Sequence, residues 1–261
     1  MRINICGVKI DKYSFDEVVE LIINHALSQS KPEYVVTPNA MHIVTLQKDV
    51  DFQEIYRKAF LVVPDGVSLL WAAKFLQTPL SGRVNGTDLF EKLCAIASEK
   101  GLKVFLLGGR PGSAEKAKKT LVARHPSLQI VGTYCPPYGF ESQLTELNSI
   151  NSTIIEAAPH ILFVGLGAPK QEKWIAANYL YLGVPISVGI GVSFELVSNM
   201  VTRAPVWMQQ AGFEWLFRLL VEPSRLWKRY LFGNCAFIWL LIKQHLGLFK
   251  RLPNTKRSDH F

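Results

Sequence analysis

The sequence lacks the features that mark several common protein classes. It has only four cysteines, at positions 6, 94, 135 and 235, and no C-x-x-C pair. This spacing argues against a zinc knuckle or a disulfide framework and suits a reducing cytoplasm. The first eleven residues alternate like a pair of strands and contain no continuous apolar segment. We therefore expect no signal peptide.

The common phosphate-binding and metal-binding motifs are missing from the sequence too. Residues 108–113 read Gly-Gly-Arg-Pro-Gly-Ser, which is neither G-x-G-x-x-G nor a Walker loop. The single D-x-D, Asp49 to Asp51, lies in a polar stretch typical of a solvated helix face. No histidines and cysteines have the spacing of metal ligands. We expect neither a metal ion nor a cofactor.

The composition is that of a folded protein, and the charge is unevenly distributed. Hydrophobic residues make up 49% of the chain and charged residues 19%, so a large core can form. The formal net charge is +8. Residues 223–261 contain eight basic residues and one acidic residue, a net charge of +7, whereas residues 1–222 have a net charge of +1. The charge therefore lies in the C-terminal segment.

Short β-branched runs alternate with helical patterns through most of the chain. This alternation predicts an α/β fold, with a mainly parallel, Rossmann-like sheet covered by helices on both faces. We divide the chain into an α/β core, residues 1–205, and a basic, aromatic helical appendage, residues 206–261. The predicted strands are residues 34–36, 61–63, 104–107, 130–131, 161–164 and 186–188.

Ligands of such folds bind beyond the carboxyl ends of the strands, so the residues there are the candidates for a site. Asp65 follows a strand in a Pro-Asp-Gly turn. It could cap the next helix, or it could be a base that removes a proton from a sugar hydroxyl. Thr37 and Asn39 could likewise cap a helix or bind a sugar. The polar residues at five strand ends would converge on one crevice.

The glycine segment at residues 108–113 joins a predicted strand to a predicted helix. Its backbone N–H groups and the helix dipole would suit a diphosphate, although a tight turn without a ligand explains the same pattern. The segment at residues 133–140, which contains two prolines, is predicted to be a loop over the site. Without a metal, Arg83, backbone amides and C-terminal arginines would hold the leaving group.

The C-terminal segment has the pattern of a membrane-surface element. Residues 207–221 are predicted to be one helix that Pro223 interrupts, and Arg225 and Arg229 then share a face of a second helix. The longest apolar run, residues 235–242, is far shorter than the about 20 residues that span a bilayer. Aromatic residues interleaved with lysine and arginine favour an in-plane membrane contact. A dimerisation helix and a nucleic-acid-binding segment are the alternatives.

Six motifs, in order, resemble the WecG/TagA/CpsF glycosyltransferases, and together they cover about residues 3 to 230. The motifs are Val-Thr-Pro-Asn-Ala at 36–40, Pro-Asp-Gly at 64–66, Arg-Val-Asn-Gly-Thr-Asp at 83–88, the glycine segment at 105–112, the segment at 164–174 that contains Gly-Ala-Pro-Lys-Gln-Glu, and the pair 203–205 and 214–218.

The resemblance implies an inverting, metal-independent enzyme. It would transfer N-acetylmannosamine or a related sugar from a UDP donor to a polyprenyl-diphosphate-linked N-acetylglucosamine, in cell-surface polysaccharide or teichoic acid synthesis. The matching positions make Asp65 the base and place Thr37 and Gln171 near the reacting sugars. Where the family often has Asp after Gly-Ser-Phe, this chain has Glu195. The other substrate-binding candidates are Asn39, Arg83, Asp88, Gly108, Gly109, Lys170, Arg218, Arg225 and Arg229.

The predicted reaction is a single displacement in which Asp65 deprotonates the attacking acceptor hydroxyl. The predicted partners are the UDP-sugar, the lipid-linked acceptor and an anionic membrane surface, with no nucleic acid and with a homo-oligomer left open. The predicted location is the inner face of the cell membrane, as a peripheral cytoplasmic protein. The rival functions are a nucleotide-sugar epimerase or dehydrogenase on a similar sheet and a non-catalytic membrane scaffold.

Overall fold

The computed structural model describes residues 1–28 and 30–249, and the chain begins with an antiparallel hairpin. Strand β1 (Arg2–Ile5) pairs with β2 (Val8–Asp11). The two turn residues, Cys6 and Gly7, both have positive φ, 47° and 83°, as the favoured two-residue hairpin turn requires. The alternating N-terminal pattern is thus confirmed as a strand pair.

The remaining strands form one six-stranded parallel sheet in the order β4-β3-β8-β7-β5-β6. The α/β prediction is therefore confirmed. The strands are β3 (Glu33–Val36), β4 (Leu61–Val62), β5 (Lys103–Gly108), β6 (Gln129–Tyr134), β7 (Ile161–Gly165) and β8 (Ile186–Gly189). One boundary was predicted wrongly. Thr133 and Tyr134 belong to β6 rather than to a loop, because their backbones pair with Leu106 and Leu107.

Helices cover both faces of this sheet. Phe105 and Leu107 of β5 belong to one apolar cluster, whereas Val104 and Leu106 belong to another on the opposite face. This alternation is what a doubly covered parallel sheet requires. The helices of the body are α1 (Phe15–Ser28), α2 (Ala40–Leu46), α3 (Val50–Lys58), α4 (Val67–Phe75), α5 (Gly86–Lys100), α6 (Ser113–Arg124), α7 (Leu144–Ala157), α8 (Lys170–Leu182) and α9 (Ser193–Val197).

Three C-terminal helices follow: α10 (Val206–Gln210), α11 (Glu214–Val221) and α12 (Pro223–His245). The prediction of one helix over residues 207–221 is wrong. Gly212 interrupts it with a φ of +78°, and a Cβ there would lie 2.9 Å from Val67 Cγ1 and 3.0 Å from Trp71. The interruption at Pro223 is confirmed, since the proline begins α12, where its missing N–H costs no hydrogen bond.

Helix α12 packs along α2 and the N-terminal hairpin. Leu226 and Phe237 are buried, and Gly233 lies so close to Met41 that a side chain there would collide with it. Gln244 Nε2 donates a hydrogen bond of 2.9 Å to Asn4 O. In the described part of the chain, no helix has the length and apolar character needed to cross a bilayer. The end of the predicted appendage, residues 250–261, lies outside the described residues.

Candidate active site

The turns that follow the strands are joined by hydrogen bonds into one continuous rim. Asp65 N donates to Pro38 O at 2.9 Å, which ties the turn after β4 to the turn after β3. Thr37 Oγ1 donates to Gly189 O at 3.0 Å, and Gly109 N donates to Gly165 O at 2.8 Å. The predicted convergence of these polar residues at the carboxyl edge of the sheet is therefore found.

Asp65 is held by groups from the start of α5. Its Oδ1 accepts hydrogen bonds from Asn85 Nδ2 and from Gly86 N, both at 3.0 Å. The helix after it, α4, is capped at Gly66 without any side-chain hydrogen bond. The helix-cap explanation of Asp65 is thus excluded. Among the described residues no hydrogen bond to Asp65 Oδ2 is found, which leaves that oxygen for an incoming group.

The surroundings of Asp65 make it a stronger base than an ordinary aspartate. Burial raises the pKa of Asp65 to about 6, against the lowering effect of the Gly86 hydrogen bond. The charge of Glu214 raises this pKa further, whereas the charges of Arg83 and Arg218 lower it. A carboxylate with a pKa near 6 is largely ionised at neutral pH and can still accept a proton effectively.

Asn85 is a site residue that the sequence reasoning missed. Its Oδ1 caps α5 by accepting from Thr87 N and Asp88 N, while its Nδ2 positions Asp65. A capping signal was present, because an asparagine precedes Gly-Thr-Asp and a long helical pattern. That signal identifies the cap, but it gives no indication of the second contact, which crosses from α5 to the strand-end turn.

Thr37 and Asn39 have separate roles in the turn after β3. Asn39 caps α2, since its Oδ1 accepts from Met41 N at 3.0 Å and from His42 N at 3.4 Å. Of the two interpretations of Asn39, the structure therefore shows the helix cap. Thr37 is nearly buried and donates its hydroxyl proton to the β8 backbone, so a lone pair on Oγ1 remains for a substrate.

Arg83 lies between the Asp65 rim and the C-terminal helices. Its guanidinium is 3.5 Å from Glu214 Oε2 and 3.7 Å from Asp88 Oδ2, and it also donates to Gln209 O at 3.3 Å. Asp88 is more strongly paired with Arg203, at 2.6 Å. Arg83 is therefore within the site, and it is already engaged by carboxylates.

The glycine loop after β5 has a different geometry from a phosphate cradle. Arg110 N donates to Glu195 Oε1 at 2.7 Å, so a carboxylate already occupies this amide. Gly108 and Gly109 have φ of 102° and 81° and approach β7 and α6 too closely for side chains. A diphosphate here would meet the carboxyl oxygens of Glu195, which are hydrogen-bond acceptors like its own. The loop is better suited to a ligand that donates hydrogen bonds.

Glu195 was predicted as a binding residue, and it is 4% exposed. Its second oxygen, Oε2, has no hydrogen-bond partner in the described part of the chain, and the same holds for the buried hydroxyl of Ser113. Buried polar atoms without partners are unusual in proteins. Arg110 also extends outward to Glu222, at 3.0 Å, and so links this loop to the start of α12.

Lys170 and Gln171 begin α8 but face different neighbours. Lys170 pairs with Glu141, and its Nζ lies 5.6 Å from the Tyr138 ring centre and 5.7 Å from that of Phe140. Gln171 is 2% exposed and points into the protein, where it contacts Glu172 and Gly191. Its amide is thus within reach of the rim, although most of it is enclosed by protein.

The predicted C-terminal arginines are described only in part. Arg218 lies on α11, close enough for its charge to lower the pKa of Asp65. Arg225 and Arg229 are in the first turns of α12, and their side chains lie outside the described part of the structure. Within the described residues, no group of three histidine, cysteine, aspartate or glutamate side chains could hold a metal ion.

Comparison with known proteins gives one consistent result. The glycosyl transferase WecG/TagA/CpsF family matches residues 3–251. A Bacillus subtilis protein named N-acetylglucosaminyldiphosphoundecaprenol N-acetyl-beta-D-mannosaminyltransferase is 31% identical over 229 residues, which cover 87% of this chain and 85% of its own. A Staphylococcus aureus protein of the same name is 28% identical over 87% of this chain and 86% of its own. The chain therefore belongs to the WecG/TagA/CpsF family of glycosyltransferases.

Proposed function

We propose that this glycosyltransferase moves N-acetylmannosamine, or a related N-acetylated hexose, from a UDP donor to a polyprenyl-diphosphate-linked N-acetylglucosamine. The transfer inverts the anomeric centre, needs no metal ion and serves cell-surface polysaccharide or teichoic acid synthesis. The acceptor follows from the names of the relatives, which specify N-acetylglucosaminyldiphosphoundecaprenol. The UDP donor, the stereochemistry and the metal independence come from the motif resemblance.

The observation that carries the proposal is the Asp65 carboxylate. One oxygen is fixed by two donors at 3.0 Å, and burial raises the pKa to about 6. In a single displacement, the acceptor hydroxyl oxygen forms a bond to the anomeric carbon as its proton passes to Asp65 Oδ2. The bond from that carbon to the UDP oxygen breaks, and UDP leaves with the electron pair. The general base contributes about 10²–10⁴-fold to such a rate.

The developing negative charge on UDP requires nearby cations. Arg83 and Arg218 are close enough to influence the charge of Asp65, so they also lie within range of a diphosphate bound beside it. In the proposed mechanism, Arg83 and Arg218 turn to pair with the diphosphate of the leaving group. Arg225 and Arg229 of α12 are proposed to bind the same diphosphate. Once paired with the leaving group, these cations stabilise the negative charge that develops on it in the transition state.

Glu195 and Lys170 are proposed to bind other parts of the donor. The unpartnered Oε2 of Glu195 is an acceptor for an N–H or hydroxyl group, which suits the nucleoside rather than the diphosphate. Gly108 and Gly109 let the loop approach that nucleoside through their backbone. Lys170, at the start of α8, would exchange Glu141 for a polar group of the sugar or phosphate.

The C-terminal helices are proposed to dock on an anionic membrane. The exposed apolar side chains of α12 fall in one arc of about 140° when 3.6 residues make a turn. We call this arc the outer face of α12, and it comprises Trp227, Leu231, Phe232, Ile238, Trp239 and Ile242. Lys228 and Lys243 lie 5.5 Å and 5.1 Å from the ring centres of Trp227 and Trp239. Apolar and cationic groups on one side are typical of an interfacial helix.

The proposal is tested by product formation from defined substrates. Each of several UDP-sugars is mixed with a short-chain lipid-diphosphate N-acetylglucosamine, with and without a chelator. We expect UDP release with one N-acetylated donor at a rate that the chelator leaves unchanged, and a product with the inverted anomeric configuration. No turnover with any UDP-sugar would contradict the donor assignment, and loss of turnover with chelator would contradict metal independence.

A further inference from the structure

Both the oxygen and the nitrogen of the Gln171 side-chain amide form hydrogen bonds within the protein. Its Oε1 accepts a hydrogen bond from Gly191 N at 3.0 Å, and its Nε2 donates to Glu172 Oε1 at 2.9 Å. Gln171 is 2% exposed. These contacts fix which end of the amide carries the oxygen. They also indicate that its main role is to support the backbone rather than to touch a sugar.

Gln171 supports the turn that lies behind Thr37. A Cβ at Gly189 would lie 2.9 Å from Gln171 Nε2, so β8 ends in a glycine because the Gln171 side chain occupies that space. The carbonyl of the same Gly189 accepts the hydroxyl proton of Thr37 at 3.0 Å. On the other side, a Cβ at Gly165 would lie 2.8 Å from Gly191 O. The position of Thr37 therefore depends on a tightly packed turn that Gln171 holds.

Glu172 is the buried group that orients Gln171. Its side chain is fully buried, and its second oxygen, Oε2, has no hydrogen-bond partner among the described residues. Burial raises the pKa of Glu172 to about 7, against the lowering effect of the Gln171 hydrogen bond. A buried carboxyl group with one unpartnered oxygen costs stability. An apolar residue would avoid that cost, so its presence calls for a role beyond packing.

We infer that Glu172 is a positioning residue for the transfer reaction: by accepting from Gln171 Nε2 it orients the Gln171 amide, which holds Gly191 and Gly189 and thereby sets the Thr37 hydroxyl. This inference rests on the proposed function, because it takes Thr37 to be near the reacting sugars. Glu172 lies behind the rim and acts through Gln171. A displacement of about 1 Å at a reacting group is enough to lower a rate about 10²-fold.

A double-mutant cycle that exchanges the amide and the carboxyl group between positions 171 and 172 tests this chain of contacts. Gln171→Glu alone places two carboxyl groups against each other in a buried site, where like charges oppose ionisation of both. The double variant Gln171→Glu/Glu172→Gln restores the pattern in reverse: the carboxylate at position 171 accepts from Gly191 N and from the new amide at position 172. Glu172→Gln alone keeps an acceptor for Gln171 Nε2 and serves as the mild member of the cycle.

The readouts are kcat, the donor KM and the midpoint of thermal unfolding for the full chain. We expect Gln171→Glu to lower kcat about 10²-fold with little change in donor KM. The kcat of the double variant should recover to within a few-fold of that of Glu172→Gln. Such a recovery means that the effects of the two substitutions are coupled and not additive. Glu20→Gln, an exposed change in α1, is the control and should match the wild type.

Three outcomes separate the possible failures. If the wild type transfers no sugar, the proposed function is wrong, and the inference that rests on it is wrong too. If the wild type is active and the double variant is as slow as Gln171→Glu, the inference is contradicted. It is contradicted as well if the unfolding midpoint falls and recovers through the cycle while kcat per folded molecule stays constant, because Glu172 would then serve the fold alone.

Discussion

The α/β body and the C-terminal helices differ in where they hold apolar and charged side chains. The body buries its apolar residues on both faces of the sheet and also encloses several polar groups at the strand ends, such as Thr37, Gln171 and Glu172. Helix α11 has no buried residue, and α12 leaves its outer face exposed along most of its length. The body thus encloses the polar groups of the proposed site, and the helices expose the surface that we propose docks on a membrane.

Two ion pairs cross the boundary between the two regions beside the site. Arg83 of the body contacts Glu214 of α11, and Arg110 contacts Glu222 at the start of α12. Both arginines lie beside the strand-end rim. A movement of the helices therefore changes the charge around the site, and occupation of the site by an anion changes how the helices are held.

The largest effect is expected from a change in the body alone. Asp65→Asn removes the proposed base but keeps an oxygen that can accept from Asn85 and Gly86. Turnover should fall about 10²–10⁴-fold, while binding to anionic vesicles and donor affinity stay near the wild-type values. Turnover is measured as UDP release, and vesicle binding by sedimentation.

The same variant should be more stable than the wild type at neutral pH. The folded-state pKa of Asp65 lies above its ordinary value, so ionisation costs folding free energy as pH rises through about 6. A neutral amide avoids this cost, which is up to about 3 kcal/mol for a shift of about two units. Urea unfolding at pH 7 measures the difference. Lower stability would contradict a raised pKa of Asp65 in the folded state.

The next effect concerns the C-terminal helices alone. Ile238→Asn/Trp239→Asn removes two adjacent apolar side chains from the outer face of α12. Each buried side chain of this size contributes about 1.5–3 kcal/mol, so vesicle binding should weaken about 10²-fold or more. Turnover on a water-soluble acceptor should fall far less than turnover on acceptor embedded in vesicles.

The body provides a matched control for this pair. Leu180→Asn/Tyr181→Asn also changes two adjacent, exposed residues on a helix, but that helix is α8. It should leave vesicle binding unchanged. Equal losses from both pairs would mean that binding depends on general surface hydrophobicity and not on the C-terminal helices. A dimerisation role for α12 would instead appear as a change in sedimentation velocity without vesicles.

The smallest effect is expected at the boundary. Glu214→Gln removes one of the two carboxylates near Arg83 and with it a negative charge that raises the pKa of Asp65. A partly exposed ion pair contributes about 0.2–1 kcal/mol, so donor KM should fall by up to about fivefold. The acidic limb of the rate profile should also move to lower pH. Glu222→Gln, which affects Arg110 instead, should leave that limb in place.

The sheet could be predicted from the sequence because its strands are continuous apolar runs, and the hairpin because its pattern alternates. The break at Gly212 was not predicted, because the apolar pattern of residues 207–221 continues through it and the close approach of Val67 and Trp71 to this glycine is a tertiary contact. Asp65 was identifiable as the only carboxylate that directly follows a buried strand. Its partner Asn85 was not, because it is brought there by the packing of α5 and not by sequence spacing.

The glycine loop teaches a similar lesson about binding motifs. Its sequence offers backbone amides at a helix start, which favours an anion site. In the structure, one of those amides donates a hydrogen bond to Glu195, which is 85 residues away in the chain. A local pattern can predict which groups a loop offers. A local pattern cannot predict which distant side chain accepts hydrogen bonds from those groups.

The pH dependence of kcat/KM for the wild type tests the role of Asp65 most directly. The active form of a base is deprotonated, so with a pKa of about 6 the rate should be constant above neutral pH and fall about tenfold per unit well below pH 6. The residual activity of Asp65→Asn should lack this break. A wild-type profile that stays flat from pH 7 to pH 5, or a break that survives in Asp65→Asn, would contradict the assignment of Asp65 as the base.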